Sequence, residues 1–493
     1  MKKLIAAAFA AVSLSAFAAW ERIGALQVAD VTVQGAAIAK VGGFMGNPLA
    51  AAGMAAMVAD TPTLKFFGPA RDKSPMAYVV FLDGDAFAKD LEDALDTLEF
   101  AVLYPISVSK EEFLKRHKGS SETNGVVVVK GDMFDEDDSD ETTYVVFSED
   151  GKWVGASDKI DQAKLALAEI PATAKSMNGD VMRLRVDKKA FKAIQAAVKA
   201  NKDVDPDLVE SLGYSKALSI GIKVSDLGVD IRGTMQFDKG SEGDKCGLKP
   251  LGQSPFAAAG KDAIYADIQA EDAGSAGQLS EAKWAELVAL LKKHGFDLAK
   301  YVTLTKSEKG MLKMVFDTKA ICNMKDDKDA FEKFDLEKFF EDAKGLKAKN
   351  RFSATSPAYA LSVAVKGFTP QWPIAERFAA TLPEAASKKP YAVSFFSLSS
   401  TFKAVVGEAS AAMPEEQRAM MKPVLDQLAT ETKGGCASML WRQDDVHRMF
   451  FRISADECKC LGGIAMSAMM FGMEGDSCDD EDDDEDDDED NDD

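Results

Sequence analysis

One arrangement of strand, helices and hairpin recurs along this 493-residue chain, and it constrains the fold more than any single motif does. In the clearest copy, "VMRLRV" at 181–186 reads as a strand and leads into a helix carrying Phe191, Ile194 and Val198 on one face. A second short helix follows Asp205-Pro206, and then comes "ALSIGIKVSDLGVDIRGTMQF". Leu218, Ile220, Ile222 and Val224 alternate along one strand of that stretch, and Val229, Ile231, Met235 and Phe237 along the next, with Gly228 in the turn. The last folded part runs the same way: "YAVSFF" at 391–396, a helix beginning near Ser400, a second from Pro414 to about Leu428, and the hairpin "CASMLWRQDDVHRMFFRI". Looser copies start at "AIYADI", 263–268, with Trp284, Leu287, Val288 and Leu291 on a helix face before the hairpin "YVTLTKSEKGMLKMVF", and at "AYVVFL", 77–82, before the amphipathic "DLEDALDTL".

The pattern predicts an α+β fold made of duplicated units, each a curved antiparallel sheet with helices packed on one face. A chain of this length exceeds what one core organises. The expected division is 19–245 for a first α+β domain and 246–476 for a second, with the joint in "DKGSEGDKCGLKPLGQSP", a run of Gly, Pro and charge.

Both ends read differently from the body. Met1-Lys2-Lys3, an apolar run from Leu4 to Phe17 and the small residues around Ala16-Phe17-Ala18 have the pattern of a secretory signal peptide, 1–18, so export to the periplasm or the exterior is expected. No cysteine follows the cut, which argues against a lipid anchor. The uncharged stretch 41–59 is long enough to span a bilayer, but Asn47-Pro48, its glycines and its small residues favour a buried hairpin or an interfacial segment, so no stable membrane span is expected in the mature chain. The Met-rich "GGIAMSAMMFGM", 462–473, is too short to cross a bilayer and reads as core packing or an adaptable apolar wall.

The net charge is −22, and 14 acids lie between Asp479 and Asp493. That tail, 477–493, cannot bury apolar area and repels itself, so it reads as a disordered, solvating tail, with weak divalent cations or docking to a basic partner as the alternatives. An acidic surface excludes nucleic acid as a partner. The acidic loop "FDEDDSDE", 134–141, lacks the glycine and the twelfth-position acid of a calcium loop and reads as a solvated hairpin tip.

Chemistry-bearing motifs are sparse. Ser400-Thr401-Phe402-Lys403 matches the Ser-x-x-Lys tetrad of serine β-lactamases and penicillin-binding proteins. The chain lacks the serine element those enzymes place downstream, and the nearest lysine-glycine match, Lys433-Gly434-Gly435, comes only about 30 residues later. Phe191-Lys192 occupies the place of Phe402-Lys403 in the copy that has no serine there, so Ser399 or Ser400 reads as a helix N-cap. His117, His294 and His447 are isolated from one another and read as structural. Six cysteines, Cys246, Cys322, Cys436, Cys458, Cys460 and Cys478, suit an oxidising compartment, and the hairpin between 436 and 458 makes a disulfide from Cys436 to Cys458 or Cys460 the expected pairing. No catalytic, cofactor or metal site is expected.

The stretch "YVVFSEDGKWVGASDKIDQAKLALAEI", 144–170, has two strands joined by a turn, then a helix with Ile160, Ala163, Leu167 and Ile170 on one face. With "GDVMRLRVDKKAFKAI" and the hairpin at 217–237, it resembles large exported bacterial proteins of unknown function with duplicated α+β domains, over roughly residues 60–240. The resemblance implies no catalytic residues. Three functions are expected in order: a non-enzymatic binding or scaffold protein contacting an unknown envelope or extracellular protein; a carrier of an apolar, lipid-like ligand in a curved-sheet cavity; and a hydrolase using Ser400 and Lys403.

Overall fold

The structure is a computed structural model, and it describes residues 21–462 apart from most of 47–59, the stretches 83–97, 135–140, 200–205, 271–279, 324–333 and 343–358, and a few single positions. The expected leader, the acidic tail, nearly all of the Met-rich stretch, much of 41–59, the acidic loop at 135–140 and most of "DLEDALDTL" therefore lie outside the described residues.

Among the described residues ten strands form in the first stretch: β1 (Glu21–Val28), β2 (Met76–Leu82), β3 (Glu99–Tyr104), β4 (Ser121–Thr123), β5 (Val126–Lys130), β6 (Thr142–Phe147), β7 (Val154–Ser157), β8 (Met182–Asp187), β9 (Ser215–Ser225) and β10 (Gly228–Phe237). Seven follow: β11 (Ala263–Gln269), β12 (Val302–Lys306), β13 (Leu312–Phe316), β14 (Tyr359–Val365), β15 (Pro390–Phe396), β16 (Cys436–Gln443) and β17 (Val446–Ser454). Among the described residues these 17 strands join one sheet, in which the pairings are antiparallel except where β13 meets β14. Through its middle the sheet runs β2-β1-β8-β9-β10 and then β17-β16-β15-β11-β14.

The helices after β8, β11 and β15 fall where the sequence predicts, whereas the one after β1 and the one before β15 were not foreseen. Helix α1 (Val31–Phe44) follows β1; α2 (Lys188–Val198) and α3 (Pro206–Gly213) follow β8. Helix α4 (Glu281–Lys293) follows β11, α5 (Ile374–Thr381) precedes β15, and α6 (Leu398–Ala411) and α7 (Glu415–Leu428) follow β15. Strand β1 was not foreseen; it is the central partner of β2 and β8.

Helices cover both faces of the sheet, which corrects the expectation of one covered face. Tyr78, Val80, Val102 and Tyr104 pack in the core that holds Phe191 and Ile194 of α2. On the opposite face Ala77, Val79, Phe81, Ala101 and Leu103 pack with Ala166 of the helix Ile160–Leu167. Burial from both sides is why "AYVVFL" and "FAVLY" are continuous apolar runs, whereas the hairpin β9–β10 alternates. Phe67, Phe81 and Phe113 are fully buried, a contribution of about 1.5–3 kcal/mol each.

The two stretches meet in a ladder. β10 pairs antiparallel with β17 from Gly228 opposite Ser454 to Met235 opposite His447. Gly228, at φ +140°, is required there, because a Cβ would lie 2.0 Å from the Ile453 carbonyl oxygen. Asp230 and Arg452 stand directly opposite each other, with Nε to Oδ1 at 2.6 Å and Nη2 to Oδ2 at 3.0 Å, both side chains buried. Arg452 also donates to the Thr381 carbonyl at 3.1 Å, tying the seam to α5.

Candidate functional site

The seam builds a cavity. Because Met235 is opposite both Leu218 and His447, and Gly233 is opposite both Ile220 and Met449, these side chains share one face of three adjacent strands. Leu440 of β16, opposite Met449, extends the face to a fourth. Phe191 of α2 and Leu212 of α3 stand over it, and the open-sided space between them is about 480 Å3. Gly233 keeps the floor low: a Cβ there would come within 3.2 Å of Met449 Cε. This volume and its apolar lining suit a small-molecule site, which commonly spans about 300–1,000 Å3.

The lining is mostly apolar, but Ser211, Ser215, Thr234, Arg448 and a histidine ring also belong to it. His447 is 6% exposed, and its Nδ1 lies 3.1 Å from the Tyr391 hydroxyl, while Nε2 has no hydrogen-bond partner. Phe237 and Tyr391 meet the imidazole edge-on, with ring centroids at 5.1 and 5.8 Å. Burial pushes the imidazole below its ordinary value of 6.5; the nearby Arg442 pushes the same way and Asp244 opposes it, so the ring is neutral at neutral pH. The segment after β10 straps this end of the cavity. Arg442 Nη2 donates to Asp244 Oδ1 at 2.7 Å, and Nη1 to the Asp244 carbonyl.

Ser400 and Lys403 lie in a different place, inside a buried polar cluster between α5 and α6. Arg377, 1% exposed, donates to the hydroxyls of Ser397, Ser399 and Ser400 and to the Gly434 carbonyl at 3.1 Å. Ser400 Oγ donates to Glu431 Oε1 at 2.8 Å, and Lys403 Nζ donates to Glu431 Oε2 at 3.0 Å. The serine and the lysine of the tetrad thus share a carboxylate as their acceptor, and the serine proton is directed at Glu431. Burial works against ionisation of Glu431, but Lys403, Ser400 and the Gln371 amide hold its carboxyl below the usual range. Burial has the upper hand at Glu457, which is raised although Ser399 and Arg377 face it.

The helix N-cap is Ser397, whose Oγ accepts from the Ser400 amide at 3.0 Å; Ser399 and Ser400, the expected caps, turn inward to Arg377. Ser454 caps the helix at 455–462 by accepting from the Glu457 amide at 3.2 Å. The expected bridge is not formed: Cys436 and Cys458 are free thiols, as is Cys460. Cys436 opens β16, opposite Ile453, and Cys458 sits on the helix beyond β17. Burial raises the Cys436 thiol to about 12, and the Cys458 and Cys460 thiols to about 11. His117 and His294 cap the C-termini of their helices, and His294 Nε2 meets Asp342 at 3.0 Å.

The cavity escaped the sequence reading because its wall comes from strands some 200 residues apart. A signal was nonetheless present: His447 is in phase with Met449, Phe451 and Ile453, a polar residue on the apolar side of an alternating strand.

Among the described residues no helix is long and apolar enough to cross a membrane, and no group of histidine, cysteine and acidic side chains is arranged to hold a metal. A scan against protein-family models, a search of curated proteins and a search of solved structures each find no match to this chain.

Proposed function

We propose that this is an exported, non-enzymatic binding protein of the bacterial envelope or exterior, and that it binds an apolar small molecule in the seam cavity. The observation that carries the reading is the cavity of about 480 Å3 walled by Leu218, Ile220, Met235, Leu440 and Met449. These five side chains all stay only partly buried, which leaves apolar surface for a ligand to cover. The binding role is preferred to hydrolysis because Ser400 is wholly buried and its hydroxyl is donated to Glu431.

The architecture behind it is two duplicated α+β units, 19–245 and 246–476. The matching strand orders β2-β1-β8-β9-β10 and β14-β11-β15-β16-β17, each with a helix pair after its third strand, support that reading. A signal peptide ending at Ala18 fits it too, since cleavage there leaves β1 whole from Glu21.

Native mass spectrometry of the protein purified from cells without detergent tests the binding role. The expected result is an added mass that organic solvent releases. A clean mass for the bare chain, together with no saturable uptake of an apolar fluorophore, overturns it.

A further inference from the structure

Resting on the cavity reading, we infer that His447 is the recognition point for an oxygen acceptor at one end of the ligand, so that the cargo is of the fatty-acyl type and not a plain hydrocarbon. The ring stands in the cavity wall, 6% exposed, with Nε2 unpartnered. A buried polar atom left without a partner is costly, and such atoms in native proteins are rare enough to require a reason.

The neighbours fix what that partner must be. A phenol is a stronger hydrogen-bond donor than a neutral imidazole, and imidazole nitrogen is the better acceptor, so the Tyr391 hydroxyl at 3.1 Å donates to Nδ1. Nδ1 then carries no proton, and Nε2 carries the N–H. The missing partner is therefore an acceptor: a carboxylate, ester carbonyl or hydroxyl oxygen. Ser211, Ser215, Thr234 and Arg448 also border the cavity, while Leu218, Met235, Leu440 and Met449 supply its apolar surface and take the acyl chain. Methionine on both sides of the seam accommodates a flexible chain more readily than branched residues would.

The test uses the full mature chain and two fluorescent probes: cis-parinaric acid, which ends in a carboxylate, and diphenylhexatriene, which has no polar atom. His447→Phe keeps an aromatic ring and removes the donor. The expected result is parinaric acid affinity lowered about tenfold, the worth of one net hydrogen bond, with diphenylhexatriene unchanged. Tyr391→Phe frees the tautomer and is expected to weaken parinaric acid alone, by a smaller factor, which keeps the inference testable should His447→Phe fail to fold. Equal loss of both probes, or no loss of either, overturns the role of His447 while leaving the cavity reading intact. Met235→Trp fills the cavity and should abolish both probes; if both still bind it unchanged, the cavity reading itself fails. Parinaric acid methyl ester separates a requirement for the anion from one for an oxygen acceptor alone: retained binding of the ester is expected, and its loss would overturn the acceptor assignment in favour of charge recognition.

Discussion

Replacing Asp230 with alanine should be among the most damaging single changes in the molecule. Asp230 is fully buried and receives both a 2.6 Å and a 3.0 Å bond from Arg452, itself 3% exposed. Breaking a buried pair by removing one partner costs about 3–5 kcal/mol, because the remaining charge is left in low dielectric. Here Arg452 keeps a second acid, Glu384 at 3.1 Å, and the Thr381 carbonyl, so the lower end, about 3 kcal/mol, is expected. The double change Asp230→Leu with Arg452→Met removes both charges and should return stability to within about 1 kcal/mol of the wild type. Urea unfolding followed by tryptophan fluorescence, with Trp441 on the adjacent β16 as reporter, measures both. If Asp230→Ala stays within about 0.5 kcal/mol of wild type, or if the double variant is as unstable as the single one, the attribution to an orphaned buried charge is wrong.

Three further outcomes follow from the geometry. A fluorescent penicillin should leave Ser400 unlabelled, and Ser400→Ala should cost about 1–3 kcal/mol in the same urea assay, since it strips a partner from both Arg377 and Glu431. His117 and His447 both sit below their ordinary value of 6.5, chiefly through burial, so the unfolded chain binds more protons than the folded one just beneath it. Their contribution is complete above pH 6.5 and is lost as pH falls through the folded values; His447→Phe should flatten that slope in urea midpoints taken between neutral and mildly acidic pH, whereas an unchanged slope would remove His447 as a cause. The thiols of Cys436, Cys458 and Cys460, held up by burial, should react slowly with a thiol reagent at neutral pH and rapidly in urea; fast native labelling would contradict their burial.

How much of this was legible beforehand depended on range. Alternation at 217–237 and 436–453 revealed both hairpins, because a strand buried on one face writes its period into a few neighbouring residues. The helix starts were visible for the same reason, although the cap fell on Ser397 once Arg377 had drawn Ser399 and Ser400 inward. Strand β1 stayed hidden because "ERIGALQV" adjoins the apolar leader and lacks a clean period; it is buried nearly throughout between β2 and β8. The Arg377 cluster gathers Ser400, Glu431, Gly434 and Glu457 from positions 23 to 80 residues away, and no local pattern announces such a meeting. Site legibility was poorest for the same reason: the cavity exists only after β10 finds β17.

The β10–β17 ladder also fixes what a severed chain would do. Cut in the segment after Phe237, the first piece would carry β10 as a naked rim of amides and carbonyls, and the second piece would carry β17 in the same condition. Each is the natural lid for the other, so the fragments should reassociate when mixed. Expressed alone, either one should stick to copies of itself along that rim, because an open β edge recruits whatever strand arrives first.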